Sequence, residues 1–229
     1  MSRLDAARGI CHVGRQMMEH GLIAGADGNI AVRLSADRVL VTPSGRSKGD
    51  LAPDDLVEVD LSGRHVRGSN RASSELHMHL VILRQRADVA AVVHAHPPVA
   101  TGFAVAGEAF DDCVLPELVA QLGWVPLVPY GTPGTPDLGE QLRPFLPGHD
   151  ALLLANHGAV TLGSTLESAH YRMESLEHAA RIILVARLLG RVETLSREDV
   201  ARLAALRVAP GPFPGCPPLA DAPGRGRTP

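Results

Sequence analysis

His94 and His96 are the residues of this chain most suited by type and spacing to bind a metal ion. They sit at i and i+2 at the end of an apolar run, VAAVVHAH, directly before Pro97-Pro98. On a strand, side chains alternate, so both imidazoles leave the same face and can chelate one ion. His157 stands in Asn156-His157-Gly158, at a break after a second apolar run, ALLLA. If the two strand ends are neighbours, three histidines converge. Three protein ligands with one open position is the pattern of a catalytic zinc site rather than a structural one. The competing reading leaves them as separate polar residues at strand ends.

The other histidines lack this geometry. His77 and His79 are also spaced i, i+2, but on a predicted helix, where they point about 200° apart and cannot share an ion. His170, Glu174 and His178 lie one turn apart on a long helical pattern. That spacing can hold a metal, but a solvated or interhelical face is the preferred reading. His12, His20, His65 and His149 have no identifiable partners.

Glu75 follows two serines at the start of a predicted helix. Ser73 or Ser74 can serve as the N-cap, with Glu75 complementing the helix dipole. The functional alternative is a carboxylate that moves a proton to or from carbon near the metal. Three segments can supply hydroxyl and backbone donors to a phosphate: Gly28-Asn29, Thr42-Pro43-Ser44-Gly45 and Ser73-Ser74, the last at a helix start. Lys48 could add a cation, although a surface lysine is the plainer reading. There is no Walker A loop, and no complete G-x-G-x-x-G after a strand, which disfavours nucleotide binding.

These residues need elements to hold them. Positions 3–20 read as a helix, stopped by Gly21. NIAVRL and RVLVTP read as a hairpin around SAD, and LVEVDLSGRHVRG repeats the pattern around Ser62-Gly63. A helix follows from SSELHMHLVILRQRAD, then the VAAVVHAH strand, a short VPLVPY strand, and ALLLANHGAVTLG as two strands or a bent one. The longest helical pattern spans 165–189, and SREDVARLAAL reads as a last helix. Strands and helices mixed in this way imply a layered α/β fold.

Composition sets outer bounds. The 229 residues suffice for one sizeable core. A net charge of -3 argues against a nucleic-acid or anionic-membrane partner. Cys11, Cys113 and Cys216 are isolated and odd in number, and a reducing cytoplasm fits them best. The N-terminal sequence carries no long apolar run, so neither a signal peptide nor a membrane anchor is expected. The segment 209–229 is rich in Pro and Gly and reads as an irregular tail.

GNIAVRL, VTPSGRSKGDL, SSELHMH, AVVHAHPPVATGFA, VPYGTPGT and LLLANHGAV occur in that order. With this set the chain resembles the class II aldolase/adducin family, in particular its L-fuculose-1-phosphate aldolase-like enzymes, from about residue 5 to 190. The resemblance implies a three-layer α/β/α sandwich around a mostly antiparallel sheet, in one domain spanning 1–208, and a cytoplasmic homotetramer. It implies zinc, with manganese or cobalt as alternatives, on His94, His96 and His157. It implies Glu75 as the catalytic acid/base, with His79 supporting it from behind. Gly28, Asn29, Thr42, Ser44, Gly45, Ser73 and Ser74 match the family's segments for the substrate phosphate. The implied reaction cleaves a ketose 1-phosphate to dihydroxyacetone phosphate and an aldehyde. Sugar-phosphate epimerases, dehydratases and decarboxylases share the scaffold, as does a non-catalytic adducin-like module. The chain departs from the fuculose enzyme in VLPELVAQLGWVP, which has no tyrosine to serve the aldehyde side. Glu117 or Gln121 is the candidate replacement.

Overall fold

The computed structural model describes residues 2–206. The elements run α1 (Arg3–Glu19), β1 (Asn29–Ser35), β2 (Arg38–Val41), β3 (Val57–Asp60), β4 (His65–Arg67), α2 (Leu76–Gln85) and β5 (Ala91–Ala95). They continue with α3 (Pro98–Ala106), α4 (Pro116–Gln121), β6 (Leu127–Val128), α5 (Pro136–Leu142), β7 (Ala151–Leu154), β8 (Gly158–Gly163), α6 (Leu166–Leu188) and α7 (Arg197–Leu206). The segment read as an irregular tail, 209–229, lies outside the described residues.

The strands form one eight-stranded sheet in the order β4-β3-β2-β1-β5-β8-β7-β6. Every pairing is antiparallel except β6 with β7. Alternation assigns each residue to a face. Ile30 and Val32 of β1, with Val93 and Ala95 of β5, join a core with Ile10 and Met17 of α1, Phe103 of α3 and Met173 of α6. Ala31 and Val92 point the other way, toward Met78 and Ile82 of α2 and Leu138 of α5. Helices thus cover both faces, the three-layer arrangement expected from the sequence. Burying a side chain such as Ile10 or Ile82 stabilises the fold by roughly 1.5–3 kcal/mol.

Local chemistry sets the ends of the elements. Ser2 caps α1 by accepting from Asp5 N–H at 3.1 Å. At α2 the N-cap is Glu75 rather than Ser73 or Ser74, and no side chain caps it. Ser73 Oγ accepts from Glu75 N–H at 3.2 Å, a bond that precedes the helix rather than capping it. That leaves the Glu75 carboxylate directed away from the helix.

Three helices were not read from the sequence: α3, α4 and α5. Each begins with a proline, at Pro98, Pro116 and Pro136. Proline ends a strand, but it also suits the first position of a helix, where no amide hydrogen is needed. The start of α3 is completed from α6: the buried Glu177 carboxylate accepts from Val99 and Ala100 N–H at 3.1 and 2.9 Å. This fixes the chain immediately after His96.

A second buried anchor joins the ends of α2, β7 and α6. Asp150 accepts from Arg86 at 2.8 Å and pairs with Arg172 at 3.0 Å, and all three are buried. Removing one partner from a buried pair costs about 3–5 kcal/mol. Cys11 is a buried free thiol. Among the described residues no helix is long and apolar enough to cross a membrane.

Candidate active site

The sheet order brings the predicted ligands together. β5 lies between β1 and β8, with Asn29 opposite His94 and Ala95 opposite Ala159. His157 occupies the turn joining β7 to β8, one residue before β8 begins. The rings of His94, His96 and His157 then stand 4.7–5.1 Å apart between centroids. Gly158 makes the approach feasible: a Cβ there would lie 2.5 Å from Ala95 O and 2.6 Å from the His96 ring. Gly28 is held likewise, at φ +71°, where a Cβ would meet Ile23 and the carbonyl of His94.

The donor atoms fit a divalent ion. His94 Nδ1 lies 2.9 Å from the Ala159 carbonyl, so that nitrogen carries the proton and Nε2 presents its lone pair. His94 Nε2 and His96 Nε2 are 3.2 Å apart. Two nitrogens on one tetrahedral zinc, each at ~2.0–2.1 Å, are about 3.3 Å apart. Asp27 lies 3.4 Å from His96 Nδ1 and turns that ring's other nitrogen toward the centre. Burial and the neighbouring His94 push His157 down to about 4 and lower His96 as well, which favours the neutral, ligating form of each.

Glu75 completes the cluster from α2. Its Oε2 is 3.2 Å from His94 Nε2 and its Oε1 is 3.3 Å from His157 Nε2. Asn29 Nδ2 donates to Oε2 at 2.7 Å. Behind Asn29, His79 Nε2 lies 2.5 Å from the amide oxygen. Burial alone raises the Glu75 pKa. The facing His94, its hydrogen bond, the Asn29 amide and His157 outweigh burial and hold the carboxyl well below the usual range. Oε1 has no hydrogen-bond partner, although it is buried.

The three donor segments meet beside this cluster. Thr42 Oγ1 accepts from Ile30 N–H at 3.1 Å, and Ser73 N–H donates to the Thr42 carbonyl at 3.1 Å. Ser44 N–H reaches the Arg71 carbonyl at 3.0 Å. Thr42 and Ser73 are therefore buried structural members, while Ser44, Gly45 and Ser74 are exposed. Gly28 and Asn29 stand at the head of β1, buried against β5.

Sequence reasoning missed three features of this site. Lys48 is not a surface lysine: it is 2% exposed, with Nζ bound to the carbonyls of Ala26 and Arg46 at 2.5 and 2.8 Å. It ties the Gly28 loop to the Ser44 loop and is committed to that task. Asp27, directly before Gly28-Asn29, carries no local pattern that marks it as a partner of His96. The side chain of Asn29 holds Glu75, a contact that no local pattern announces. Gln121, read as a replacement for the tyrosine, has its Oε1 2.7 Å from Ser175 Oγ of α6.

A family model described as Class II Aldolase and Adducin N-terminal domain matches residues 8–184. A 5-methylthioribulose-1-phosphate/5-deoxyribulose-1-phosphate aldolase of Rhodospirillum rubrum is 34% identical over 204 residues, covering 88% of this chain and 90% of that protein. A 3-oxo-tetronate 4-phosphate decarboxylase of Pectobacterium atrosepticum is 34% identical over 198 residues, covering 84% and 89%. Among solved structures, an L-fuculose 1-phosphate aldolase superposes with a TM-score of 0.83 at 29% identity, covering 90% of this chain and 99% of that one. With the same fold and a match along most of its length, the chain belongs to the class II aldolase and adducin family.

Proposed function

We propose that this protein is a metal-dependent aldolase that reversibly cleaves a ketose 1-phosphate to dihydroxyacetone phosphate and an aldehyde. The observation that carries the reading is the position of Glu75, whose two oxygens face His94 and His157 while Asn29 fixes their direction. A divalent ion held by His94, His96 and His157, zinc with manganese or cobalt as alternatives, supplies Lewis-acid charge for an oxygen that becomes anionic.

The chain's own residues do the rest. When the carbon–carbon bond breaks, its electron pair stays on the phosphate-bearing fragment, and the hydroxyl proton of the departing carbon leaves as the aldehyde forms. Glu75 rests ionised, and once it has taken up a proton it gives that proton to the fragment's carbon. In the synthetic direction its carboxylate takes that proton back. Ser44, Gly45 and Ser74, with Gly28 and Asn29 at the head of β1, form the wall on which the phosphate rests, and the buried Thr42 and Ser73 hold that wall from behind. Lys48 is spent on carbonyls, so hydroxyls, backbone amides and the start of α2 carry the anion. Fixing the phosphate orients the breaking bond and removes part of the entropic barrier. A homotetramer is part of this reading and is checked by light scattering. The group that takes the aldehyde-side proton then comes from positions 111–125 of the same or a neighbouring subunit, with Glu117 and Gln121 as candidates.

A second reading is decarboxylation of a 3-oxo-tetronate 4-phosphate, favoured by the Pectobacterium relative at equal identity. Loss of carbon dioxide also leaves an electron pair on carbon, so the histidines and Glu75 serve either reaction. A panel with mass detection separates them: L-fuculose 1-phosphate, 5-deoxyribulose 1-phosphate and a 3-oxo-tetronate 4-phosphate, each with fully metal-loaded protein. Release of dihydroxyacetone phosphate supports the aldolase. Turnover of none of the ketose 1-phosphates, with loss of carbon dioxide or water elsewhere, overturns it. A protein that takes up no metal would instead be a non-catalytic module.

A further inference from the structure

A second group of metal-ligating side chains lies outside the candidate active site. His170 and Glu174 are one turn apart on α6, as the sequence shows. The third member is not His178, which is exposed, but His20, the C-cap of α1. His20 Nδ1 lies 2.5 Å from Glu174 Oε1, and His170 Nε2 lies 3.6 Å from the same oxygen. One ligand atom from each residue falls within 4.8 Å of the other two.

His170 makes this more than a surface ion pair. It is 1% exposed, and neither of its ring nitrogens has a hydrogen-bond partner. A buried polar atom left unsatisfied destabilises the fold, so an imidazole with both nitrogens unpaired is an expensive thing to keep in a core. Nε2 points to the carboxylate that His20 also faces. An ion among the three would take up that lone pair and convert the cost into a bond. His20 is half-exposed, which leaves an open side for entry and for water ligands. His170 also lines a cleft of about 600 Å³ between α1 and the start of α6, shared with His12 and Tyr171.

We propose that His20, His170 and Glu174 form a second site for a divalent transition-metal ion, one that joins α1 to α6. Two imidazoles and one carboxylate suit zinc, cobalt or nickel, and not calcium or magnesium, which prefer oxygen shells. Bound there, the ion clamps the end of α1 to α6. Two residues beyond His20, the Leu22 carbonyl accepts from His96 N–H at 3.2 Å. The clamp therefore also steadies the backbone of one active-site histidine. This inference stands whether or not the aldolase reading is correct.

The test is a count of bound metal on the full chain. Chelator-stripped protein is dialysed against zinc, and bound metal is measured per chain. The wild type takes up a second equivalent beyond that of the His94 centre. His20→Ala and Glu174→Gln each abolish the second equivalent and leave the first. The glutamine keeps a hydrogen-bond acceptor for His20, so a mere hydrogen bond would survive the change. The double variant His94→Ala/His96→Ala retains one equivalent, and zinc raises its melting temperature; adding His20→Ala removes both effects. Saturation of the wild type at a single equivalent overturns the proposal. So does a second equivalent that survives both His20→Ala and Glu174→Gln. If the double variant does not fold, the comparison of wild type with those two variants decides alone.

Discussion

Asn29 donates its side-chain amide to Glu75 Oε2 at 2.7 Å, while its amide oxygen lies 2.5 Å from His79 Nε2. Because the Glu75 carboxylate can only accept, the amide nitrogen must face it, and the amide oxygen is left to accept from His79 Nε2–H. The carboxylate is thus aimed by a chain of two hydrogen bonds anchored on a fully buried ring. Asn29→Ala should lower kcat by about 10–100-fold, the usual cost of removing such a supporting bond. Bound metal should stay at the wild-type level, measured on the same samples. An unchanged kcat would mean that Glu75 is aimed by other contacts.

Glu75 and the three histidines should fail differently. Glu75→Gln keeps the shape of the side chain but cannot carry the proton, so kcat should fall by about 10²–10⁴-fold with the metal retained. Stripping the metal with a chelator should abolish turnover, and returning zinc should restore it. His157→Ala should give the chelated phenotype without the chelator. Metal analysis beside a steady-state assay separates the two classes. Full activity in metal-free protein would contradict the assignment.

Much of this site was legible because its residues sit at pattern breaks. His94 and His96 mark the end of an apolar alternation, and His157 interrupts another. What local pattern could not supply was adjacency. The β5–β8 pairing that brings His94 to His157 spans more than sixty residues, and the Asn29–Glu75 contact joins positions 46 apart. The misread elements fail for stated reasons. A proline can stop a strand or start a helix, so α3, α4 and α5 were lost in the ambiguity. Lys48 looked like a surface residue because nothing nearby in sequence shows the two carbonyls that hold it. His20 has no partner in its own stretch of sequence because Glu174, which it faces, is on α6.

Asn156 is the one non-glycine residue with positive φ among the described residues, at 56°. It sits in the turn that delivers His157. Asparagine tolerates this left-handed conformation better than other residues with a Cβ, which pay roughly 1–2 kcal/mol there. Asn156→Ala should therefore lose about 1 kcal/mol of stability and weaken metal binding, because the turn relaxes and moves His157. Asn156→Gly should keep both close to wild type. Urea unfolding and zinc titration of the two variants check this. Equal losses in both would point to the asparagine side chain rather than the backbone.

His79 should make the protein acid-sensitive in a defined window. Burial, with the nearby His94, pushes its pKa from 6.5 down to about 3, against a smaller opposing pull from Glu75. In the unfolded chain it titrates near 6.5. Between those values the unfolded state binds a proton that the folded state refuses, so stability falls as pH falls. The loss is about 1.4 kcal/mol per pH unit for one such group. Asp60 acts lower. The Ser62 hydroxyl, followed by the Arg64 contacts, overcomes burial and holds it at about 2, so its contribution is present above 3.8 and lost only below that. Between pH 6 and 4.5 the two effects are therefore separate. His79→Gln keeps an N–H for Asn29 but cannot titrate. Its unfolding free energy should fall less steeply over that range than the wild type's, by about 1.4 kcal/mol per pH unit. Urea melts of metal-free protein at three or more pH values measure the two slopes. Parallel slopes would show that His79 is charged in the folded state after all, and that the hydrogen-bond chain behind Glu75 starts from an imidazolium.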